Sequence, residues 1–355
     1  MNIDNAPPSN PYGANEQAGM PFVSVLLAVR NEAGYIGECL RGLGEQDYPH
    51  QRFEVLLIDG ESTDGTVAEA LDAVGDLSVS FLNNPGRTAP LGLNIGLSRA
   101  RGEVIVKVDG HTSLAPDFLR ANVRALQQTG ADATGGAIET RGRGVIGRAI
   151  ALAMSSPFGI GDASFRHADA VAQWTDSVPY GAYRREVFER IGPFADIDRG
   201  EDDELNYRLR RAGGRIWLSP EVRSVYYCRG DYASLARQYW SYGRAKAEVL
   251  RRHPGSLRAR HLVPSVLVLA LAGGTLLSRV DGRFGWLAAL AAASYTAVNL
   301  AATLRIAGRG HTREAPYLPA AFACIHLPAG AGLIAGCLRG LFQRRRGRAD
   351  AGRET

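Results

Sequence analysis

The sequence predicts an α/β fold with a mostly parallel sheet, followed by a carboxy-terminal region of transmembrane helices. Between residues 21 and 140, short β-branched runs alternate with amphipathic segments, a pattern typical of strands buried on both faces of a parallel sheet. After residue 255 the chain carries three long apolar stretches. A chain of 355 residues, 45% of them hydrophobic, can form one large domain with an appendage.

The predicted elements follow one another in strand–helix order. Strands are predicted at residues 23–29, 55–58, 79–82 and 104–108. Helices are predicted at residues 35–43, 67–74, 91–100 and 116–128, the last beginning at Pro116. This alternation is typical of layered α/β proteins. No GxGxxG follows the first strand and no GxxxxGK loop occurs in the chain, which argues against a dinucleotide dehydrogenase and a P-loop NTPase.

Composition and charge indicate a membrane-associated protein of a reducing compartment. Residues 1–20 are rich in Asn, Pro and Gly and lack the regions of a signal peptide, so a disordered leader is expected. The four cysteines form no CxxC pair, which indicates reduced thiols. The net charge is +5, and arginines cluster beside the apolar stretches. Without interleaved aromatic residues, such clusters favour anionic lipid headgroups over nucleic acid.

The three apolar stretches are expected to form the membrane region. They cover residues 262–278, 284–304 and 317–338, and their lengths of 17, 21 and 22 residues suit a bilayer span. The alternative is a buried helical hairpin in a soluble protein. Three crossings would carry the arginine-rich tail to the outside, against the positive-inside rule. We therefore expect two crossings and one partial insertion, with domains at residues 21–255, 256–343 and 344–355.

Polar residues end the second and fourth predicted strands. Asp59 ends the second, and Asp109 and His111 follow the fourth. Ligands of open α/β sheets bind outside the carboxyl ends of the strands. Asp109 and His111 are two residues apart, and their oxygen and imidazole ligands suit Mn²⁺ and also permit Mg²⁺. The alternative is that these residues only form turns and cap the helices that follow.

A run of four acids at residues 201–204 opens another predicted helix. Acids at a helix N-terminus favour its macrodipole, and this is the simpler interpretation. Four acids in a row exceed what a helix end needs. Crowded carboxylates repel one another, which raises one pKa towards the range of a general base. Asp202 is the candidate base, and Glu201 is its neighbour.

These motifs, in this order, resemble those of family 2 glycosyltransferases. The resemblance covers about residues 21 to 340 and implies the GT-A nucleotide-diphospho-sugar transferase fold, with transfer of a sugar from a UDP-sugar. Enzymes of this fold usually carry Asp-x-Asp where this chain has Asp109-Gly110-His111, and relatives that glycosylate serine and threonine use Asp-x-His. The processive members' Gln-x-x-Arg-Trp is not matched at Gln238-Tyr239-Trp240, which argues against polymerisation of a chain.

The resemblance also implies roles for individual residues. The implied nucleotide-sugar contacts are Ala28, Arg30, Glu32, Asp59, Arg87, Asn94 and Asp109. The implied ligands of a divalent metal, Mn or Mg, are Asp109 and His111. The implied catalytic residues are Asp202 and Glu201, and the implied acceptor-side residues are Tyr180, Gly181, Gln238 and Trp240.

A narrower resemblance is to the ExoA-type branch of succinoglycan biosynthesis. It rests on residues 154–161, on Phe165-Arg166, on the Asp-Gly-His variant and on His326-Leu327-Pro328. Members of that branch extend lipid-linked oligosaccharides, typically with glucose from UDP-glucose. The resemblance implies an inverting enzyme of the cytoplasmic membrane that faces the cytosol and acts on a polyprenyl-diphosphate-linked glycan. Membrane lipid and other polysaccharide assembly proteins are expected partners, and nucleic acid is not.

Two other functions stay open from the sequence. The first is a polyprenyl-phosphate sugar synthase, whose acceptor is the lipid phosphate and needs no general base. The second is a catalytically silent subunit of a polysaccharide assembly complex, which would turn over no donor. The set of Asp59, Asp109 and Asp202 argues against the silent subunit.

Overall fold

The structure, a computed structural model, describes residues 19–161, 164–166, 171–197, 199–256 and 259–351. The chain divides into two compact units, Met1–Glu139 with Ser164–Tyr227, and Thr140–Ala163 with Cys228–Thr355. The expected leader at residues 1–20 lies outside the described residues except for its last two positions. Of the basic tail at residues 344–355, only the backbone up to residue 351 is described. The predicted boundaries at residues 255 and 343 stay predictions.

The described strands join one mixed sheet. They are β1 (Val23–Val29), β2 (Phe53–Asp59), β3 (Val79–Asn83), β4 (Val104–Val108), β5 (Thr112–Leu114), β6 (Ala133–Arg141), β7 (Gln173–Thr175), β8 (Ala182–Arg184) and β9 (Ile216–Tyr227). Their order across the sheet is β3-β2-β1-β4-β8-β6-β9-β5, and β7 pairs with β9.

The four predicted strands form the parallel half of this sheet. β1 and β4 have the predicted bounds, and β2 and β3 extend one or two residues beyond them. The parallel register places Val29 opposite Asp59 and Leu27 opposite Val108, so the strands end at the same edge. The other half is antiparallel, with β4 on β8, β8 on β6, and β9 on β5 and β7. The prediction of a mostly parallel sheet is therefore correct for the first half only.

The helices follow the sequence in order. They are α1 (Ile36–Gly44), α2 (Thr66–Ala73), α3 (Ala89–Arg99), α4 (Phe118–Thr129), α5 (Gly144–Met154), α6 (Pro157–Ile160), α7 (Arg185–Ile191), α8 (Glu201–Arg211), α9 (Tyr232–Arg252), α10 (Ala259–Val268), α11 (Gly274–Leu277), α12 (Gly282–Ala307) and α13 (Leu318–Ala351). The four helices predicted between residues 35 and 128 correspond to α1 to α4. In the first unit, α3 and α8 pack against the sheet through a core that contains Leu26, Ile58, Leu93, Leu205 and Leu209.

In the second unit, α9 lies against α13 through small residues. A Cβ atom on Gly243 of α9 would lie 2.1 Å from the carbonyl oxygen of Ala329, and one on Gly332 of α13 would lie 2.3 Å from that of Trp240. Both separations are far below van der Waals contact, so only glycine permits this approach of the two backbones. The contact joins α9 to the apolar helices.

Among the described residues, two helical segments have the length and composition to cross a membrane. They are Gly282–Ala307 and Ala315–Gly340, with mean hydropathies of 1.5 and 1.7. The first predicted stretch forms a shorter apolar helix, His261–Leu277, which contains Pro264 and a π-helical turn at Leu269–Gly273. In the described part of the chain, the number of long apolar helices equals the two crossings expected, and the crossing of a bilayer stays a prediction.

Candidate active site

The loops that follow the first three strands are locked together at one edge of the sheet. The Thr63 N–H donates to Asn31 Oδ1 (2.8 Å), and Arg87 Nε donates to Glu61 Oε2 (2.6 Å). Asn31, Glu61 and Arg87 all have positive φ angles, of 55°, 53° and 61°. Left-handed backbone at such residues costs about 1 kcal/mol or more each and clusters at ligand-binding sites. The strained loops make this edge a candidate ligand-binding site.

The predicted donor-binding residues lie along this edge. Ala28 pairs with Ile58 near the end of β1, and Arg30 follows, exposed to solvent. Asp59 ends β2, where its carboxylate accepts hydrogen bonds from the Ser62 hydroxyl (2.6 Å) and N–H (3.1 Å). The turn role that the sequence offered as an alternative is thus present, and the contact of Asp59 with a nucleotide stays a prediction.

Asn94 makes a pair of hydrogen bonds that the sequence did not indicate. Its Nδ2 donates to the carbonyl of Phe194 (2.8 Å), and the Phe194 N–H donates to its Oδ1 (2.9 Å). These bonds hold the chain before α8 onto α3. The nucleotide-sugar contact implied for Asn94 stays a prediction, and the structure gives this side chain a positioning role as well.

The centre of the first unit is a buried lysine bound to three carboxylates. Lys107 Nζ lies 2.7 Å from Asp202 Oδ2, 3.1 Å from Glu201 Oε1 and 3.3 Å from Asp109 Oδ1. Lys107 is 5% exposed. Asp109 follows β4, whereas Glu201 and Asp202 begin α8. The fold thus brings the predicted metal ligand and the predicted base together on one amine.

The electrostatics of this cluster shift the pKa of Asp202 into the range that general bases use. Burial raises the pKa of Asp202 to about 7; Lys107 opposes this, and Glu201 and Asp109 reinforce it. Within the described structure, Asp202 Oδ1 is buried and accepts no hydrogen bond, whereas Oδ2 is bound by Lys107. A buried carboxylate oxygen without a donor is costly. Asp202 Oδ1 is therefore where a hydroxyl of a substrate can bind.

Asp109 and His111 have the chemistry of a shared cation site. Burial opposes ionisation of Asp109, but Lys107 and then His111 outweigh it and hold the pKa of Asp109 below its usual value. His111 Nδ1 lies 3.1 Å from Glu32 Oε1. A carboxylate on one ring nitrogen commonly orients a metal-binding histidine. Glu32 therefore lies where it can orient His111, and the predicted contact of Glu32 with the donor stays a prediction.

The described residues bring no group of three or more His, Cys, Asp or Glu side chains together as a metal site. Mg²⁺ sites commonly use one or two carboxylates and complete their coordination with substrate phosphates. One carboxylate and one imidazole therefore fit a divalent cation that is shared with a diphosphate.

The predicted acceptor-side residues fall into both units. Tyr180 is buried with φ of 45°, and burial followed by the charge of Asp109 raises its pKa. The carbonyl of Gly181 accepts a hydrogen bond from the Lys107 N–H (3.0 Å). Tyr180 and Gly181 thus lie beside Asp109 and Lys107. Gln238 and Trp240 belong to α9 of the second unit, where Gln238 Nε2 donates to the Tyr242 hydroxyl (2.8 Å).

Lys107 is the functional residue that sequence reasoning missed. The signal was present: all five residues of β4 are buried, and Lys107 is the one charged residue among them. Side chains alternate along a strand, so Lys107 lies on the same side as Asp109. A buried ammonium needs ionised partners, and the acids at residues 201–204 were the candidates.

Comparisons with known proteins match this chain to a sequence family. Residues 24–192 match the profile of Glycosyl transferase family 2. The chain is 30% identical over 313 residues to the succinoglycan biosynthesis protein ExoA of Rhizobium meliloti, covering 87% of this chain and 92% of that protein. It is 28% identical over 247 residues to the dolichyl N-acetyl-alpha-D-glucosaminyl phosphate 3-beta-D-2,3-diacetamido-2,3-dideoxy-beta-D-glucuronosyltransferase of Methanococcus voltae, covering 66% and 75%.

A solved structure shares the fold. The mannosyltransferase PcManGT of Pyrobaculum calidifontis, in complex with GDP-Man and Mn²⁺, superposes with a TM-score of 0.55 at 23% identity. The alignment covers 97% of this chain and 91% of that one. The expected GT-A fold is confirmed.

Proposed function

This chain belongs to glycosyl transferase family 2, and from that premise we propose that it is a membrane-bound, inverting hexosyltransferase of exopolysaccharide synthesis. It moves a sugar, glucose, from a UDP-sugar to a polyprenyl-diphosphate-linked glycan. Two relatives support this assignment: one is named for succinoglycan biosynthesis, and the other for an acceptor sugar phosphate on dolichol.

The observation that carries the proposal is the meeting of Asp109 and Asp202 on one amine. The distances from Lys107 Nζ, 3.3 Å to Asp109 and 2.7 Å to Asp202, hold the donor side and the acceptor side in a single cluster. A donor diphosphate at Asp109 and a hydroxyl at Asp202 Oδ1 would thus be neighbours. Holding two reactants in this way removes much of the entropic barrier of a bimolecular reaction.

The chemistry follows from the oxygen of Asp202 that accepts no hydrogen bond. The acceptor hydroxyl gives its proton to Asp202 Oδ1 while its oxygen attacks the anomeric carbon of the donor. The bond from that carbon to UDP breaks on the opposite side, and UDP keeps the electron pair. One displacement inverts the anomeric configuration. Asp109 and His111 would hold a divalent cation, Mn²⁺ or Mg²⁺, which when bound neutralises the charge of the leaving diphosphate.

We place the enzyme in the cytoplasmic membrane with its catalytic unit facing the cytosol. α12 and the Ala315–Gly340 segment would be the two crossings. α12 presents large apolar side chains to its surroundings, among them Trp286, which is 80% exposed. Two crossings return the basic tail to the side of the catalytic unit, as the positive-inside rule requires. A membrane anchor suits an acceptor that is itself held in the bilayer.

The test is transfer of label from a panel of radiolabelled UDP-sugars to lipid extracts, using membranes that contain the overexpressed chain. We expect one UDP-sugar, UDP-glucose, to label a lipid that carries a diphosphate and at least one earlier sugar. A labelled lipid monophosphate, formed equally well by Asp202→Asn, would assign the protein as a polyprenyl-phosphate sugar synthase. Turnover of no donor would leave only a silent subunit.

A further inference from the structure

We propose that Lys107 is the resident counter-ion of the carboxylate cluster, a positioning residue that holds Asp202 and gives up Asp109 to an incoming divalent cation. Its ammonium fixes the Asp202 carboxylate through Oδ2 and keeps Oδ1 directed towards the acceptor. When the cation binds Asp109, Lys107 keeps its contacts with Asp202 and Glu201. The inference rests on the function proposed above for Asp109 and Asp202.

The charges of the cluster require such a group. Asp109, Glu201 and Asp202 bring three carboxylates to the one amine of Lys107. Three negative charges close together in a poorly solvated place repel strongly. One ammonium placed among the three carboxylates reduces this repulsion and lets them share the site. The same amine would repel a divalent cation that approached Asp109.

The position of the amine is set by a rigid element. β4 is hydrogen-bonded to β1 on one side and to β8 on the other. All five of its residues are buried, and the Lys107 N–H donates to the carbonyl of Gly181. A side chain that starts from such a strand holds its partners more precisely than one that starts from a loop.

The distances from Lys107 to the three carboxylates differ in the order expected if Asp109 is the one released to a cation. The shortest, 2.7 Å, goes to Asp202, and the longest, 3.3 Å, goes to Asp109. The Asp109 side chain is also the most exposed of the three carboxylates, at 36%, against 30% for Asp202 and 12% for Glu201. Asp109 is thus the carboxylate farthest from the amine and the one that solvent and a cation reach most easily.

This role has a consequence that a merely structural lysine would not have. Removal of the positive charge should tighten the binding of a divalent cation to the donor-free enzyme, because the repulsion is gone. The same change should lower kcat, because Asp202 is no longer held. A lysine that only supported the fold would weaken both properties together.

The experiment measures Mn²⁺ binding and kcat on the full-length protein in detergent. Free Mn²⁺ is followed by electron paramagnetic resonance without nucleotide, and kcat is measured with a UDP-sugar. For Lys107→Met we expect Mn²⁺ affinity about tenfold tighter or more, and kcat lower by at least tenfold. Lys107→Arg keeps the charge and should keep the wild-type Mn²⁺ affinity. The matched control is Lys246→Met, which removes the chain's other lysine, on α9 of the second unit.

Lys107→Gln repeats the test with a polar side chain if Lys107→Met does not fold. Mn²⁺ affinity equal to or weaker than wild type in both charge-removing variants would overturn the inference. A further check is the pair of substitutions: in an Asp202→Asn background, Lys107→Met should cost little more in kcat. Full additive losses would contradict a role that acts through Asp202. Failure of the wild type to use any donor would overturn the proposed function and leave the Mn²⁺ result to decide this inference alone.

Discussion

Asp202→Asn is expected to remove the base while leaving the site assembled. Asparagine has nearly the volume of aspartate but cannot take the proton of the acceptor. Lys107 keeps Glu201 at 3.1 Å and Asp109 at 3.3 Å, so the amine stays paired and the fold should persist. General base catalysis contributes roughly 10²–10⁴ to the rate, which corresponds to about 2.7–5.4 kcal/mol of barrier. We expect kcat to fall by that factor.

The assay follows initial rates against UDP-sugar concentration for wild type and variant. KM for the donor should change little, because the proposed donor contacts lie at Asp59 and Asp109 rather than at Asp202. Asp203→Asn is the matched control: it removes the same charge one residue further along α8 and should have a mild effect. Equal losses in the two variants would refute the reasoning and favour acids that only serve the helix end and its field.

The pH dependence of kcat adds a signature of the same residue. Burial, opposed by Lys107 and reinforced by Glu201 and Asp109, raises the pKa of Asp202 to about 7. Below that pH the carboxyl is protonated and cannot act as a base, so kcat should fall tenfold per pH unit below about 7 and level off above it. The residual activity of Asp202→Asn should lack this limb. An unchanged acidic limb in the variant would assign it to another group.

The raised pKa also predicts a stability cost. The unfolded carboxyl titrates near pH 4, so the folded state binds the proton more tightly. Proton binding by Asp202 therefore stabilises the folded state fully below about pH 4. This stabilisation is lost as pH rises through about 7. Asp202→Asn should therefore gain thermal stability relative to wild type between pH 5 and pH 8, by about 1–3 kcal/mol after allowance for the partial exposure of the side chain. A gain that shrinks with rising pH would contradict this assignment.

Three other perturbations test the metal site, the membrane anchor and the packing of the second unit. EDTA should abolish activity, and Mn²⁺ or Mg²⁺ should restore it. Asp109→Ala should lower kcat by several orders of magnitude, whereas His111→Asp should keep substantial activity. Glu32→Gln should weaken the affinity for the activating metal by about 10–100-fold. Full turnover in EDTA would rule the metal site out. The full chain should stay in the membrane pellet through high salt and alkaline carbonate, and its release without detergent would contradict the anchor. Gly243→Leu should destabilise the protein severely, because the backbone at Gly243 touches α13. Gly273→Leu should be tolerated, because the Cβ position of Gly273 faces open space. Similar melting temperatures for the two variants would contradict the packing of α9 on α13.

The parts of the fold that depend on local pattern could be predicted from the sequence. β1 and β4 were predicted to the residue, because each is a short, buried and mostly apolar run that ends before a charged residue. The antiparallel half was not predicted, because β5, β7 and β8 are three residues long and carry no measurable alternation. The contact of α9 with α13 was not predicted either, since it depends on glycines whose spacing shows no partner.

The candidate site was predicted as residues but not as contacts. Asp109 and Asp202 could be named because each ends or begins an element in a motif. Their contact with the same amine of Lys107 could not be predicted, because only the tertiary fold brings the end of β4 and the start of α8 together. Asn94 was named only through the family resemblance, and its two hydrogen bonds to Phe194 could not be predicted because the two residues are 100 positions apart in the chain.

The most direct test of the central claim is the anomeric configuration of the product. UDP-glucose carries its glucose in the α configuration, and a single displacement with Asp202 as the base inverts it. The product formed on the lipid-linked acceptor is purified, and the new linkage is assigned by proton NMR and by digestion with α- and β-specific glucosidases. We predict a β-linked glucose, formed by the wild type and lost in Asp202→Asn. An α-linked product would contradict single displacement and the role assigned to Asp202.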